Sequence, residues 1–464
     1  MSKTLPFKLY DLIPSQQSMY LMLKYSIHKQ VMQVPSSIAL KDKLDFDLLL
    51  TALNVEIARN DCLRLRFVKL GRGLNAEVKQ FFLPAWSVTD VPVKNFKTYE
   101  EQEAVLTADA QTPIRIFKDE TFRVVFFTTA DGRTGIYLNV SHLVMDAAAT
   151  AVFYKDLLEV YRSLATGTEL PKPLYSYREY IVGELAMLQN KEKMEKGAAF
   201  YHDFFEKDGC PFYAGVHGHD LLDAARKKTG DPNLRIPQAY DPIHDKALLL
   251  EKKIDPETAA KFFDFCKANL VSPETLMQFG YRAHVSKLNY DTDDTLSLQL
   301  CSKRVTFKEK NMGGCLTQPL QVRAIIKDEF TFKEALTELD KVKNSLYRHM
   351  FFPYTEALAI ERKMYNLKAT QMPSFMMFTW LPMISGGEHE IEFRGYNIGR
   401  YVMPLYTFTY PDGKDMGIKF HYLYRINSIT EQHLEALHSN MIKAVLAGIE
   451  NPDLTFGEIK AALD

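Results

Sequence analysis

The chain has almost no net charge, with Lys and Arg numbering 57 against 58 Asp and Glu. It therefore offers neither a basic field for nucleic acid nor one for an anionic membrane surface. It also lacks any C-x-x-C pair. Its five cysteines, Cys62, Cys210, Cys266, Cys301 and Cys315, are scattered and odd in number, which argues against a disulfide framework and a structural zinc site. A cytoplasmic location, where thiols stay reduced, suits them. No uninterrupted apolar run approaches the roughly 18 residues that span a bilayer. Met1 to Leu12 includes Lys3, Lys8 and Asp11 and has neither the apolar stretch nor the small-residue cleavage site of a secretory signal. The sequon Asn139-Val140-Ser141 therefore carries no expectation of glycosylation, which needs a secreted chain.

At 464 residues, 46% of them hydrophobic, the chain is too long for one ordinary core, and two domains are the starting expectation. Residues 1–170 and 171–464 form the two expected lobes. The polar, Pro-bearing stretch Gly167 to Pro173 marks the junction.

Local patterns give a mixed α/β reading. Ser15 is placed to cap a helix carrying Met19, Tyr20, Leu23 and Ile27 on one face; Val31 to Leu40 reads as extended, Phe46 to Ile57 as helix and Leu63 to Phe67 as a strand. Phe122 to Thr129 and Gly135 to Ser141 form a hairpin across Asp131-Gly132, a dipeptide that tolerates positive φ. Ile136, Leu138, Val140 and His142 share one parity, so a continuing strand turns His142 toward the interior. Ala147 to Leu164 follows as an amphipathic helix. A single helix is expected from Tyr177 to Phe205, then a long irregular excursion or mobile cover from Glu206 to Lys246.

Beyond it, strands at Ala247 to Lys253, Leu296 to Ser302, Pro319 to Ile326 and Ser374 to Leu381 mix with helices at Pro256 to Ala268, Pro273 to Leu288 and Phe332 to Arg348. Strands at Val402 to Tyr410 and Gly417 to Tyr424 are joined by the turn Pro411-Asp412-Gly413, and a helix closes the chain over Thr430 to Ile449.

The residues that draw chemical interest are Ser141-His142-Leu143-Val144-Met145-Asp146-Ala147. Histidine alone titrates near neutrality unperturbed, at about 6.5, so a half-buried imidazole here is able to take a proton from an attacking amine or hydroxyl. The plain reading stands beside it: a histidine at a strand end is commonly structural, and Asp146 ahead of three alanines is a natural helix N-cap.

Around this motif the chain resembles the condensation domains of nonribosomal peptide synthetases, within the chloramphenicol-acetyltransferase-like superfamily, whose hallmark is H-H-x-x-x-D-G. Ile13 to Tyr20 resembles S-x-A-Q-x-x-M-W, Arg59 to Phe67 resembles R-H-E-x-L-R-T-x-F, and Tyr177 to Tyr180 resembles Y-x-D-Y. Gly313 to Leu320 is similar to G-x-F-V-N-T-L-P-L, and His349 to Tyr354 to H-Q-D-x-P-F. Order and rough spacing agree from Ile13 to Tyr354.

The resemblance implies α/β lobes with mixed sheets arranged in a V, with an active-site tunnel between them. It makes His142 the catalytic residue, Asp146 the structural aspartate and Arg64 its ion-pair partner. It implies an acyl donor held as a thioester on a carrier-protein phosphopantetheine arm or on coenzyme A, a small-molecule amine or hydroxyl acceptor, and no bound cofactor or metal. The chain reads as free-standing, so a carrier docks in trans. A coenzyme-A-dependent alcohol O-acyltransferase and a non-catalytic carrier-recruitment domain remain open alternatives. Three positions depart from the pattern: Ser141 stands for the first histidine, Ala147 for the glycine and Leu316-Thr317 for N-T. Ser141, Ala147 and Thr317 are the candidates for oxyanion or tunnel-lining contacts.

Other clusters rank lower. His217-Gly218-His219-Asp220 has no third well-spaced metal ligand, Gly313-Gly314 is too short for a phosphate cradle, and His433 and His438 are expected on or near the exposed side of the last helix. Lys191 to Lys196 reads as a solvated helix face.

Overall fold

The computed structural model describes residues 6–73, 76–118, 121–381, 391–412 and 416–464. The chain gathers into two compact units, but not by one cut near residue 170. The first unit contains Met1–Lys191, Ser302–Gln318 and Ile384–Arg400; the second contains Glu192–Cys301, Pro319–Met383 and Tyr401–Asp464. Two late segments return to the first unit, one of them as a strand. Contacts so distant in sequence leave no local signal.

In the first unit a five-stranded sheet runs in the order Ile391–Gly395, Gln33–Leu40, Thr134–Ser141, Phe122–Thr128, Val93–Asn95. The returning strand pairs antiparallel with the second, setting Phe393 opposite Ile38. The hairpin forms as read, with Thr128 opposite Thr134 and Gly132 at φ 82°. All eight residues of Thr134–Ser141 are buried, because a central strand covered on both faces has no solvent side to alternate with. Ala39, Phe96, Leu106, Phe127, Tyr137 and Tyr396 pack on one face. The helices Phe46–Arg59 and Ala147–Thr166 start at Asp45 and Asp146, whose carboxylates accept from the amides of Leu48 (3.0 Å) and Ala149 (2.8 Å).

The first helix begins two residues earlier than read, at Pro14, with Ile13 as its N-cap. Proline suits the first helical position, where its missing N–H costs nothing, so Ser15 is no cap.

The second unit is built on a six-stranded sheet in the order Thr317–Ile325, Asp294–Ser302, Met376–Trp380, Leu405–Pro411, Ile418–Arg425, Ala247–Ile254. Phe262, Phe279, Phe332, Phe420, Tyr422, Leu437 and Met441 centre its core. The predicted turn Pro411-Asp412-Gly413 reaches residue 413, outside the described residues; the strands it was read to join are antiparallel, with Pro411 opposite Ile418.

Two readings are corrected. The long helix is two, Tyr177–Leu188 and Lys191–Lys207, broken at Gln189-Asn190. The segment after Glu206 is not a mobile cover: it contains the helix Asp220–Thr229 and sends Phe212, Tyr213, Val216 and Leu222 into the second core. Its Gly, Pro and charged residues hid those few apolar anchors. Among the described residues no helix is long and apolar enough to cross a membrane.

Candidate active site

His142 follows the end of Thr134–Ser141. Its backbone N–H donates to Met32 O (2.8 Å), while Val144 N and Met145 N donate to Ser141 O (2.8 and 3.2 Å). The chain therefore turns at once instead of extending the strand, and strand parity does not set the direction of the ring. Leu143, Val144 and Met145 are fully buried and anchor the turn; His142 is half-buried. Gln16, itself completely buried, donates through Nε2 to Leu143 O (3.1 Å). Ser141 is buried inside the turn, its Oγ accepting from Leu143 N (3.4 Å).

Asp146 accepts through Oδ1 from Ala149 N (2.8 Å) and Arg304 Nη2 (3.2 Å), and through Oδ2 from Leu316 N (2.8 Å) and Thr317 Oγ1 (3.0 Å). The partner of Asp146 is thus Arg304, not Arg64. Arg64 closes the 3-10 turn Asp61–Arg64 and donates to Leu83 O (3.0 Å). Spacing alone does not reveal that a residue 158 positions along completes the ion pair. In the same motif Asp61 caps the helix Tyr177–Leu188, accepting from Ser176 Oγ (2.6 Å) and Tyr177 N (2.8 Å).

Thr317 is therefore a support of Asp146. Ala147 is the first residue of its helix and half-buried, so its amide has no intrahelical acceptor.

The segment that carries Leu316 and Thr317 is tightly held. Gly314 has φ 99°, and a Cβ there would lie 2.2 Å from the Tyr177 ring, so the pair Gly313-Gly314 answers to packing. Tyr177 Oη donates to Cys315 O (3.1 Å), and Cys315 Sγ lies 3.9 Å from His142 Nδ1. Among the described residues Nε2 of His142 has no hydrogen-bond partner.

Burial lowers the pKa of His142, partly offset by a hydrogen bond to its own backbone and by the charge of Asp146. The ring is neutral at pH 7, and in the tautomer that carries its proton on Nδ1 the Nε2 lone pair is available. Burial opposes the charge on Asp146, but Arg304 and the amides of Ala149 and Leu316 outweigh it and hold the carboxyl below its ordinary range. Burial pushes the Cys315 thiol up, so it stays protonated.

The other histidines singled out in the sequence lie elsewhere. His217 Nδ1 lies 3.1 Å from Gly218 O, while His219 Nδ1 lies 2.8 Å from Asp223 Oδ2. His438 is not on the exposed side of its helix: it is 8% exposed, with Nδ1 2.9 Å from Tyr422 Oη. His433 is half-buried. Among the described residues His202, Asp203 and Glu206 are close enough to share an ion, but all three are exposed.

Comparison with known proteins follows this geometry. Residues 8–214 match the family described as Condensation domain. Surfactin synthase subunit 1 of Bacillus subtilis (strain 168) is 23% identical over 354 residues, 74% of this chain and 9% of that protein. Surfactin synthase subunit 2 of the same organism is 20% identical over 351 residues, 75% of this chain and 9% of that protein. The chain therefore spans about a tenth of the length of these relatives. The first condensation domain of the CDA synthetase superposes with a TM-score of 0.78 at 17% identity, over 97% of this chain and 98% of that one. The starter condensation domain of rhizomide synthetase, solved with C8-CoA, gives 0.77 at 15% identity over 98% of both. The architecture is that of the chloramphenicol-acetyltransferase-like proteins, α/β with mixed sheets. Within that fold, residues 8–214 carry the match to the Condensation domain family, and the solved condensation domains share the architecture over nearly the whole chain.

Proposed function

We propose that this chain moves an acyl group from a thioester to an amine or hydroxyl acceptor, with His142 as the catalytic residue. A C–N or C–O bond forms and the C–S bond breaks. Nε2 of His142 takes the proton of the attacking group and returns it to the departing thiolate, so no covalent enzyme intermediate is needed. The amide of Ala147, at the positive end of a 20-residue helix, is the donor we assign to the developing oxyanion. Asp146 and Arg304 do not touch the reacting atoms; they hold the turn that presents the ring.

One observation carries this reading: a neutral, half-buried imidazole with Nε2 unpartnered, on a turn clamped by a buried ion pair. The donor is a thioester on a carrier-protein phosphopantetheine arm or on coenzyme A, as in the C8-CoA complex of rhizomide synthetase. In that second case the chain acts as a coenzyme-A-dependent acyltransferase.

The test presents the purified protein with acyl-carrier and acyl-coenzyme A thioesters and a panel of amines and alcohols. Product is read by mass, for the wild type and His142→Ala. Loss of product in the variant is expected. Equal product from both proteins overturns the role of His142, and no acyl transfer to any acceptor overturns the function.

A further inference from the structure

Within the first unit, three large apolar side chains stand exposed where a globular protein normally hides them: Tyr175 at 38%, Val305 at 64% and Phe307 at 72%. Exposed apolar side chains matter when they are joined and rigid; Tyr175 and Phe307 are joined, and Val305 lies on the same braced turn. The rings of Phe307 and Tyr175 meet edge to face with centroids 6.2 Å apart. Tyr175 pairs with Met312 in a parallel bridge, and its N–H donates to Asn311 O (3.1 Å). The short turn Phe307–Lys310 is fixed by a capping box, in which Glu309 N donates to Thr306 Oγ1 (3.2 Å) and Glu309 Oε2 accepts from Thr306 N (2.7 Å) and Val305 N (2.8 Å).

Lys308 and Lys310 flank these residues with Glu309 between them; the Glu309 carboxylate is engaged by the amides of Val305 and Thr306, and Lys308 sits over the Tyr175 ring at 5.7 Å. Among the described residues neither Lys308 nor Lys310 has an ion-pair partner.

The same segment reaches the site. Arg304, three residues before Phe307, touches Asp146 at 3.2 Å. Three extended residues cover at most about 10 Å, so the backbone of Phe307 lies no farther than that from the residue clamping the His142 turn.

We propose that Tyr175, Val305 and Phe307, flanked by Lys308 and Lys310, form the docking surface for an acidic protein domain that delivers the thioester. The apolar side chains receive an aliphatic side chain of that partner and the lysines meet its carboxylates. Aromatic anchors ringed by charge are the usual centre of such contacts. This rests on the acyl-transfer reading and adds to it where the donor is engaged.

The experiment compares two donors bearing one acyl group, a phosphopantetheine-loaded acidic carrier domain and the corresponding acyl-coenzyme A, for wild type, Phe307→Glu and Lys308→Glu. Carrier binding is also followed by fluorescence anisotropy without turnover, at low and high salt, and circular dichroism checks that each variant folds. Expected are a KM for the carrier donor at least tenfold higher in each variant, an unchanged kcat, unchanged kinetics with acyl-coenzyme A, and wild-type binding that weakens with salt.

Unchanged carrier binding in folded variants overturns the proposal, as does equal loss with both donors or failure of the wild type to bind carrier. Sedimentation showing a wild-type dimer that Phe307→Glu dissolves also overturns it, because the surface then belongs to a second copy. If carrier binding depends on Phe307 while no acyl transfer is detected, docking stands and the acyl-transfer reading falls.

Discussion

Each unit carries a buried aspartate paired with arginine, and the two pairs serve different ends. In the second unit Asp294 is a hub of structure: Arg323 donates to both its oxygens (2.8 and 2.7 Å), Arg235 adds a third contact (2.8 Å), and Phe212 N donates as well (3.0 Å). It stitches the segment after Glu206 to the sheet. In the first unit Asp146 and Arg304 are equally buried, but the turn they clamp ends in a half-buried histidine. A buried ion pair is thus no mark of chemistry; a side chain left with an unpartnered lone pair beside one is. The histidines make the same contrast, since His438 is sealed against Tyr422 while His142 keeps part of its ring open.

The sharpest way to break this comparison is to truncate both histidines. His142→Ala is expected to lower turnover by about 10²–10⁴-fold while leaving the thermal midpoint nearly unchanged. His438→Ala is expected to leave turnover intact and to cost about 1–3 kcal/mol, through the buried Tyr422 hydroxyl it abandons. Assay and melting curve together decide it, and reversed results would exchange the roles assigned to the two rings. Next come the arginines. Arg304→Ala leaves the buried Asp146 carboxylate without its cation and should destabilise by about 3–5 kcal/mol in denaturant titrations, whereas Arg323→Ala leaves Asp294 paired with Arg235 and should cost less. Only Arg304→Ala should also lower turnover per folded molecule.

Much of this was legible in the chain. Asp131-Gly132 announced its hairpin, and Asp146 ahead of Ala147-Ala148-Ala149 announced a cap, because both signals are local. The partner of Asp146 was not legible, since Arg304 arrives on a segment that leaves and re-enters the unit, and a near-motif arginine at position 64 was the obvious choice. The burial of His438 was likewise hidden. A face read from Leu434, Leu437, Met441 and Val445 is narrower than the buried surface of that helix, which also takes in Asn440 and Ala444. Gln16, which holds the turn through Leu143 O, was quoted within the resemblance but given no role; a glutamine at a helix start carries no sign of a partner 127 residues away.

The units should also answer to pH with opposite signs. In the first, burial holds the His142 pKa below 6.5, so activity should persist at neutrality and fall only as pH drops through that lowered value, seen as the acid limb of kcat/KM. In the second, burial raises Glu361 to about 7 from its ordinary 4.5. A raised carboxyl stabilises the fold while protonated, so its contribution is complete below 4.5 and lost as pH rises through about 7. The slope approaches about 1.4 kcal/mol per pH unit between those values. His284, His421 and His438, lowered to about 4, work the other way as pH falls. The Glu361 effect is therefore read from the difference between wild type and Glu361→Gln, which should narrow steadily over that window. A flat difference would remove Glu361 from the account.

The smallest expected effect bears most directly on which arginine serves the site. Arg64 donates one hydrogen bond to Leu83 O and makes no contact with Asp146, so Arg64→Ala should cost only about 1 kcal/mol. Turnover should stay close to wild type and so should the acid limb. Arg304→Ala removes the cation that keeps Asp146 ionised, along with donors to Glu309 O, Met312 O and Gly314 O. The two truncations delete the same side chain, so the difference in their costs isolates the environment. A gap of at least about 2 kcal/mol in favour of Arg304 is expected, since a buried charge loses its partner in one case and a carbonyl one donor in the other. Equal costs, with equal losses of turnover, would return Arg64 to the ion pair and dissolve the contrast between the two aspartates.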